Sequence, residues 1–349
     1  MNGLIEALAN GGTLVVAEGY MWEIERRGYL QLGNYLPEVV LDHPEVIKQL
    51  HEEFAHAGSD VIEAFTYYAH REMLKLRGRE EDLEKLNRTA LKMAREVADR
   101  HGKLMAGNVS NTPLYEPDDP KTHEVIYAMF KEQVQWAVEE GADFIIGETF
   151  GAYGEAEIAL RAIKDWGKGL PAVITIAAYV PERTTDDVPL PEACKKLQDA
   201  GAAVVGLNCS RGPETLMPLI REVKKLCTVP IAALPVAYRT NAEEKTFFAL
   251  RDPKSGKRVY PDNLDCVRCS REDARKFAEE ARAAGVQYIG LCCGNAPNLT
   301  RELAEVYRKE PPASRFRSRM ELSMVFGDKA KEYGAEMSTT AKWMTGDGL

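Results

Sequence analysis

Short β-branched apolar runs recur along this chain, and each is followed by a longer stretch whose apolar residues return every three or four positions. The runs predict strands at 13–17, 60–64, 104–108, 143–147, 172–177, 203–207, 230–234 and 287–291. The stretches between them, such as EVIKQLHEEFAHAG, VIYAMFKEQVQWAVEEG and EDARKFAEEARAAG, predict amphipathic helices. Glycine punctuates the helix-to-strand turns, in HAGSD at 56–60, EEGAD at 139–143, DAGAA at 199–203 and AAGVQ at 283–287. A left-handed cap there ends a helix, and the following residues enter a buried strand. Such βα units predict a (β/α)8 TIM barrel over residues 1–312, with a doubly wound sheet as the alternative. Beyond Pro311-Pro312 the pattern changes. Residues 313–349 carry scattered Met320, Met324, Phe326, Trp343 and Met344, and read as a short C-terminal arm that docks on its own barrel or contacts another subunit.

Composition narrows the function classes. Of the 349 residues 45% are apolar and 28% charged, the balance of a soluble globular protein, and the net charge is −9. That charge disfavours nucleic acid and anionic membranes as partners. No apolar run approaches the roughly 18 residues that span a bilayer. The opening MNGLIEALANGG has no Lys or Arg and is not a secretory signal, so a cytoplasmic location is expected. Neither G-x-G-x-x-G nor a P-loop motif is present.

Chemistry in a (β/α)8 barrel gathers at the C-terminal ends of the strands. Those ends carry Glu18, Tyr20 and Trp22; Phe65, Thr66, Tyr67 and Tyr68; Asn108; Glu148 and Thr149; Asn208 and Cys209; Tyr238; and Cys292, Cys293 and Gly294. Three of the seven cysteines therefore fall on one rim, from two strands. An odd cysteine count in a long chain argues against a disulfide framework. The six histidines all precede residue 124 and the cysteines all follow residue 193, so no local zinc-finger spacing exists. Free cysteines are common core residues. As ligands, Cys209, Cys292 and Cys293 favour Zn²⁺ with a fourth position open. Three thiolates weaken the ion as an activator of water but suit it to holding a fourth sulfur as a nucleophilic thiolate. Alkyl transfer to a thiol is then the expected reaction. Its donor needs a good leaving group, most simply an onium cation, which aromatic faces bind. Tyr68 and Tyr238 are expected to face the site, because their hydroxyls need a wet or paired setting. Glu148 is expected to offset an ammonium charge or to hold the amino group of an amino-acid thiol.

LNCS at 207–210 with GLCCG at 290–294 resembles the zinc signature of the homocysteine S-methyltransferase family. RRGYL at 26–30, residues 37–69, LPVAYRT at 234–240 and PPAS at 311–314 resemble its betaine-using branch most. The resemblance implies a zinc-dependent (β/α)8 enzyme that methylates L-homocysteine to methionine. It matches Cys209, Cys292 and Cys293 to the zinc ligands, Glu148 and Tyr68 to substrate contacts, and Phe65, Tyr67, Tyr35 and Tyr238 to aromatics around the donor. Three positions depart from it. Glu18 stands where the family has aspartate, Thr149 where the betaine branch has tyrosine, and Tyr35 where it has tryptophan. The donor therefore stays open between betaine-like and sulfonium compounds such as S-methylmethionine. The partners expected are these small molecules and, through the arm, a second copy of the chain. Metal-assisted hydrolysis or lysis, and a non-catalytic zinc-containing barrel, are the alternatives of other classes.

Two further features remain. Cys266 and Cys269 form a CxxC before a predicted helix whose Ser270 and Asp273 spell a capping box, and read as incidental thiols, as do Cys194 and Cys227. Residues 241–265 exceed an ordinary barrel loop and predict a hairpin turning at Lys254-Ser255-Gly256, either a lid, a plain surface insertion or an oligomer contact.

Overall fold

Each β-branched run forms a fully buried parallel strand in the computed structural model, which describes residues 3–30, 37–329, 332 and 335–346. The strands are β1 Leu14–Ala17, β2 Val61–Glu63, β3 Leu104–Ser110, β4 Phe144–Phe150, β5 Ala172–Ala177, β6 Val204–Asn208, β7 Ile231–Leu234 and β8 Tyr288–Leu291. They pair in chain order, and β8 closes on β1 with Leu14 opposite Tyr288. The result is a (β/α)8 barrel, not an open doubly wound sheet. Amphipathic helices, among them Pro44–Ala57, Leu83–His101, Pro120–Glu139 and Arg271–Ala283, bury their apolar faces against it. Turns such as Gly58 (φ 106°) and Gly201 (φ 105°) take the left-handed backbone that the sequence pattern anticipated. Ser270 and Asp273 form the capping box in full.

The period of two along a strand sorts the barrel interior into layers. Leu14, Val16, Val61, Leu104, Phe144, Ile146, Val204 and Tyr288 form a dry lower core, joined by Leu4 and Leu8 from the N-terminal helix Leu4–Leu8. Two or four residues further along, the same alternation delivers buried polar groups: Glu18, Glu63, Asn108, Glu148, Thr175 and Asn208. β3 and β4 run past their expected ends because Asn108, Ser110 and Glu148, polar as they are, stay in the ladder, with Ser110 opposite Glu148.

The chain divides into two compact units, Met1–Pro311 and Pro312–Leu349. The second contains the turns Pro312–Phe316 and Met320–Leu322 and the helix Ala335–Thr345. Among the described residues, no helix is long and apolar enough to cross a membrane.

Candidate active site

A strictly alternating strand shows a cleft only every second side chain, yet the mouth of this barrel presents consecutive pairs. The backbone supplies the reason. Tyr68 (φ 59°), Thr149 (φ 64°), Cys209 (φ 57°) and Ser210 (φ 61°) are all left-handed without being glycine. Such conformations cost on the order of 1–3 kcal/mol each and persist only where the surroundings impose them. At β4 the ladder slips between Gly147 and Phe150, so that both Glu148 and Thr149 line the cleft. At β6, Asn208 points inward by alternation, and the left-handed turn then brings in Cys209 as well. The Cys209 amide donates to the Leu234 carbonyl at 2.9 Å, which fixes that turn.

The three rim thiols converge. Cys209 Sγ lies 3.6 Å from Cys293 Sγ, which lies 3.9 Å from Cys292 Sγ, and the three sulfurs all fall within 4.8 Å of one another. Cys292 and Cys293 leave β8 together because Gly19, at the end of β1, has no side chain. A Cβ there would sit 2.2 Å from the Cys292 carbonyl oxygen and 2.8 Å from the Cys293 nitrogen. Gly294 (φ 81°) then turns the chain away, its α-carbon packed against the Tyr238 ring. Donation from Cys292 and Cys293 holds the Cys209 thiol well below its ordinary range, while the other two are raised.

Beside the sulfurs stands a wall of buried carboxylates. Glu148 accepts at Oε1 from Asn108 Nδ2 (2.6 Å), and at Oε2 from Asn208 Nδ2 (3.0 Å) and the Thr149 hydroxyl (3.1 Å). Asn108 Nδ2 also donates to Glu63 Oε1 at 2.5 Å and so ties the two acids together. Burial raises Glu148 to about 7, and it raises Glu18 and Glu63 well above the ordinary carboxylate range, with Glu148 the next cause for both. Both oxygens of Glu18 and Oε2 of Glu63 are buried without a hydrogen-bond partner. Glu18, Glu148 and Cys292 bring one ligand atom each to within 4.8 Å of one another, so the acids and sulfurs form one continuous donor surface.

The opposite wall is aromatic. Tyr20, Trp22, Phe65, Tyr67, Tyr68, Tyr179, Phe247, Phe248 and Tyr260 line a cleft of ≈ 810 Å³, its open mouth included. Tyr20 stacks on Phe65 at 5.9 Å and meets the ring of His51, whose Nδ1 lies 3.1 Å from the Tyr20 hydroxyl. Burial pushes His51 down to about 3, so it is neutral there. Tyr67 and Tyr68 share Asn111: the Tyr67 hydroxyl donates to its Oδ1 and its Nδ2 donates to the Tyr68 hydroxyl.

Most residues expected at the site from sequence gather here, but not all. Tyr238 does not line the cleft. It is buried behind Phe247, the two rings stacked 5.6 Å apart and 8° from parallel, so its expected exposure to the site is corrected. Tyr35 lies outside the described residues. Asn208 acts one step back, through Glu148. Glu63 joins the site without having been expected there, although the alternation that points Val61 inward also points Glu63 inward. Tyr179, two residues past β5, lines the cleft by the same alternation. Phe247, Phe248 and Tyr260 come from the 241–265 segment, whose turn closes with Arg251 bridging to Arg258 and the Gly256 amide donating to Asp252. Cys266 is exposed and Cys269 buried in the core with its thiol pushed up to about 12, the environment of packing rather than redox work.

Known proteins are similar to this chain. The family model described as Homocysteine S-methyltransferase matches residues 15–307. The chain is 35% identical over 327 residues to betaine–homocysteine S-methyltransferase 1 of Mus musculus, covering 89% of this chain and 77% of that protein. It is 32% identical over 322 residues to S-methylmethionine–homocysteine S-methyltransferase BHMT2 of Pongo abelii, covering 89% and 84%. The crystal structure of the homocysteine methyltransferase MmuM from Escherichia coli, in its oxidised form, superposes with a TM-score of 0.68 at 20% identity, over 86% of this chain and 98% of that one. The last is a likeness of fold. The family match spans nearly the whole barrel, and the chain belongs to the homocysteine S-methyltransferase family.

Proposed function

We propose that this protein binds Zn²⁺ through Cys209, Cys292 and Cys293 and moves a methyl group from a small onium donor to the sulfur of L-homocysteine, forming methionine. Methyl transfer to homocysteine is the activity of its family. The observation that carries the metal is the spacing of the sulfurs. Zinc–sulfur bonds of about 2.3 Å at tetrahedral angles set neighbouring sulfurs about 3.8 Å apart, and the distances of 3.6 and 3.9 Å straddle that value. When bound, the ion would stabilise a fourth sulfur as thiolate without destroying its nucleophilicity.

The chain's own residues supply the rest. Glu148, held at both oxygens by Asn108, Asn208 and Thr149, and Glu18 beside it accept the ammonium of the amino-acid thiol. That contact fixes the acceptor's orientation. Phe65, Tyr67 and Tyr68, with Tyr20 and Trp22 on the neighbouring strand end, present ring faces to the onium group, whose positive charge they stabilise up to the moment of transfer. Phe247, Phe248 and Tyr260 cover the cleft from the 241–265 segment and exclude water, which would solvate the thiolate and blunt it.

The reading is tested by metal analysis and methionine formation on the same preparations. The parent should carry zinc and form methionine. Cys209→Ala should lose both while its circular dichroism remains that of the parent. A Cys209→Ala protein that keeps full activity, from a parent holding little zinc, sinks the proposal.

A further inference from the structure

Between the thiols of the CxxC at 266–269 stands Arg268, and its side chain leads back to the metal site. Residues 267–269 lie antiparallel to the chain leaving β7. The Arg239 amide donates to Val267 at 2.9 Å, the Cys269 amide donates to Ala237 at 2.8 Å, and Tyr238 pairs with Arg268. Side chains opposite one another in such a pair share a face, and this face meets the turn that follows Cys292 and Cys293. The Tyr238 ring packs on Gly294. Arg268 Nε and Nη2 both donate to the Gly294 carbonyl, at 3.0 and 2.7 Å, and Nη2 reaches the Asn295 carbonyl at 3.3 Å. The side chain is only 16% exposed. Carboxylates stand further off, Glu23 Oε2 at 3.7 Å and Asp265 Oδ1 at 3.8 Å, and Glu23 already accepts from Arg26 and Arg27 at 2.9 Å each. The short bonds of this guanidinium go to the backbone of the cysteine turn.

Main-chain bonds hold the rest of that turn. The Cys292 amide donates to Pro235 at 2.8 Å, the Cys293 carbonyl accepts from the Ala237 amide at 2.8 Å, and the Asn295 amide returns to the Cys292 carbonyl at 3.0 Å. Gly294 lies among them at φ 81°, with no side chain to restrict it. A glycine directly after a ligand lets that ligand swing unless something grips the glycine's own peptide. A planar guanidinium that donates twice fixes a carbonyl's direction as well as its distance. We infer that Arg268 is a positioning residue: by clamping the Gly294 and Asn295 carbonyls it holds Cys293 where one metal ion can bridge it to Cys209 and Cys292. This rests on the zinc reading above. Cys209 and Cys292 are tied independently, through Leu234 and Pro235, so loss of the clamp frees one thiol of the three.

The test compares the parent with Arg268→Met, which loses every donor, Arg268→Lys, which keeps the charge without the fork, and Arg239→Met. Arg239 leaves the same strand but pairs with Asp273 at 2.7 Å instead. Zinc affinity is read by competition with a chromophoric chelator. Thiolate coordination is read by the sulfur-to-metal charge-transfer absorbance of the Co²⁺-loaded proteins. Loss of a group that orients a ligand weakens metal binding about 10- to 100-fold, and that loss is expected of Arg268→Met, with Arg268→Lys between it and the parent. The absorbance per cobalt should fall by about a third in Arg268→Met, to the level of a Cys293→Ala protein, because one thiolate of three has left. Arg239→Met should match the parent in both measurements. An absorbance per cobalt equal to the parent's in Arg268→Met overturns the inference, whether or not affinity falls. If circular dichroism shows that variant unfolded, the same criterion passes to Arg268→Lys. An equal loss in Arg239→Met also overturns it. A parent that binds neither ion removes the zinc reading itself, and the inference with it.

Discussion

Gly19→Ala isolates the contact that lets two consecutive cysteines reach one point. Gly19 lies at φ 75°, and a Cβ there would stand 2.2 Å from the Cys292 carbonyl oxygen, 2.3 Å from its carbon and 2.8 Å from the Cys293 nitrogen. Ordinary contacts to these atoms begin near 3.4 Å. The Cys292–Cys293 peptide must therefore retreat by about 1 Å, because neither β1 nor β8 can slide within a closed ladder. The left-handed backbone adds roughly 1–2 kcal/mol for any residue with a Cβ. A displacement of about 1 Å in a positioned group can lower turnover about 100-fold. Gly19→Ala is thus expected to bind less than one-tenth of the parent's zinc and to lose about 100-fold in kcat/KM for homocysteine. Gly102→Ala serves as control. Gly102 is left-handed too, at φ 61°, but nothing lies within 4 Å of its added Cβ. The control should show the backbone penalty in its melting temperature and keep its zinc and activity. Metal analysis, steady-state kinetics and thermal unfolding on the three proteins decide the matter. Full zinc and activity in Gly19→Ala would refute the claim that this glycine sets the thiol geometry.

Two further outcomes follow from other parts of the structure. Glu155 is buried and accepts from both the amide and the hydroxyl of Thr112 at 2.7 Å, and burial raises it from 4.5 to about 7. Because its folded value is the higher one, its contribution to stability is complete below pH 4.5 and is lost as pH rises to about 7. That interval is worth about 3 kcal/mol, so Glu155→Gln should gain on the parent by an amount of that order between pH 5 and pH 8 in urea unfolding, and an equal gap at both pH values would contradict it. Phe65→Leu removes one ring face from the donor wall; at roughly 0.5–2 kcal/mol for a cation–π contact, it should raise the donor's KM a few-fold to about 30-fold with the KM for homocysteine unchanged, and a rise in the acceptor's KM alone would place the ring on the other substrate.

Local pattern was enough to specify the barrel and half of its site. A β-branched run between amphipathic stretches has few ways to bury itself, and eight of them in succession close on one another. Alternation along each strand then settles direction: once Val16, Val61, Ile146 and Gly290 are inside, Glu18, Glu63, Glu148 and Cys292 must be inside as well. Of the residues in LNCS and GLCCG that resemble a known signature, this alternation alone places Asn208 and Cys292 inward at the rim.

What sequence could not decide is whatever violates the alternation or arrives from far along the chain. Cys209, Thr149 and Tyr68 reach the cleft by taking left-handed backbone, a choice imposed by neighbours such as the Leu234 carbonyl and not encoded in their own propensities. Cys292 and Cys293 share one site only because closure of the barrel sets Gly19 against their peptide. Tyr238 stands at a strand end, as its position suggested, yet Phe247 occupies the face it would have shown. That substitution could not be read locally, since the 241–265 segment has no period tying its rings to β1 or β5. The chain's pattern thus fixes which residues lie at the mouth of the barrel, while long-range packing selects which of them touch the cleft.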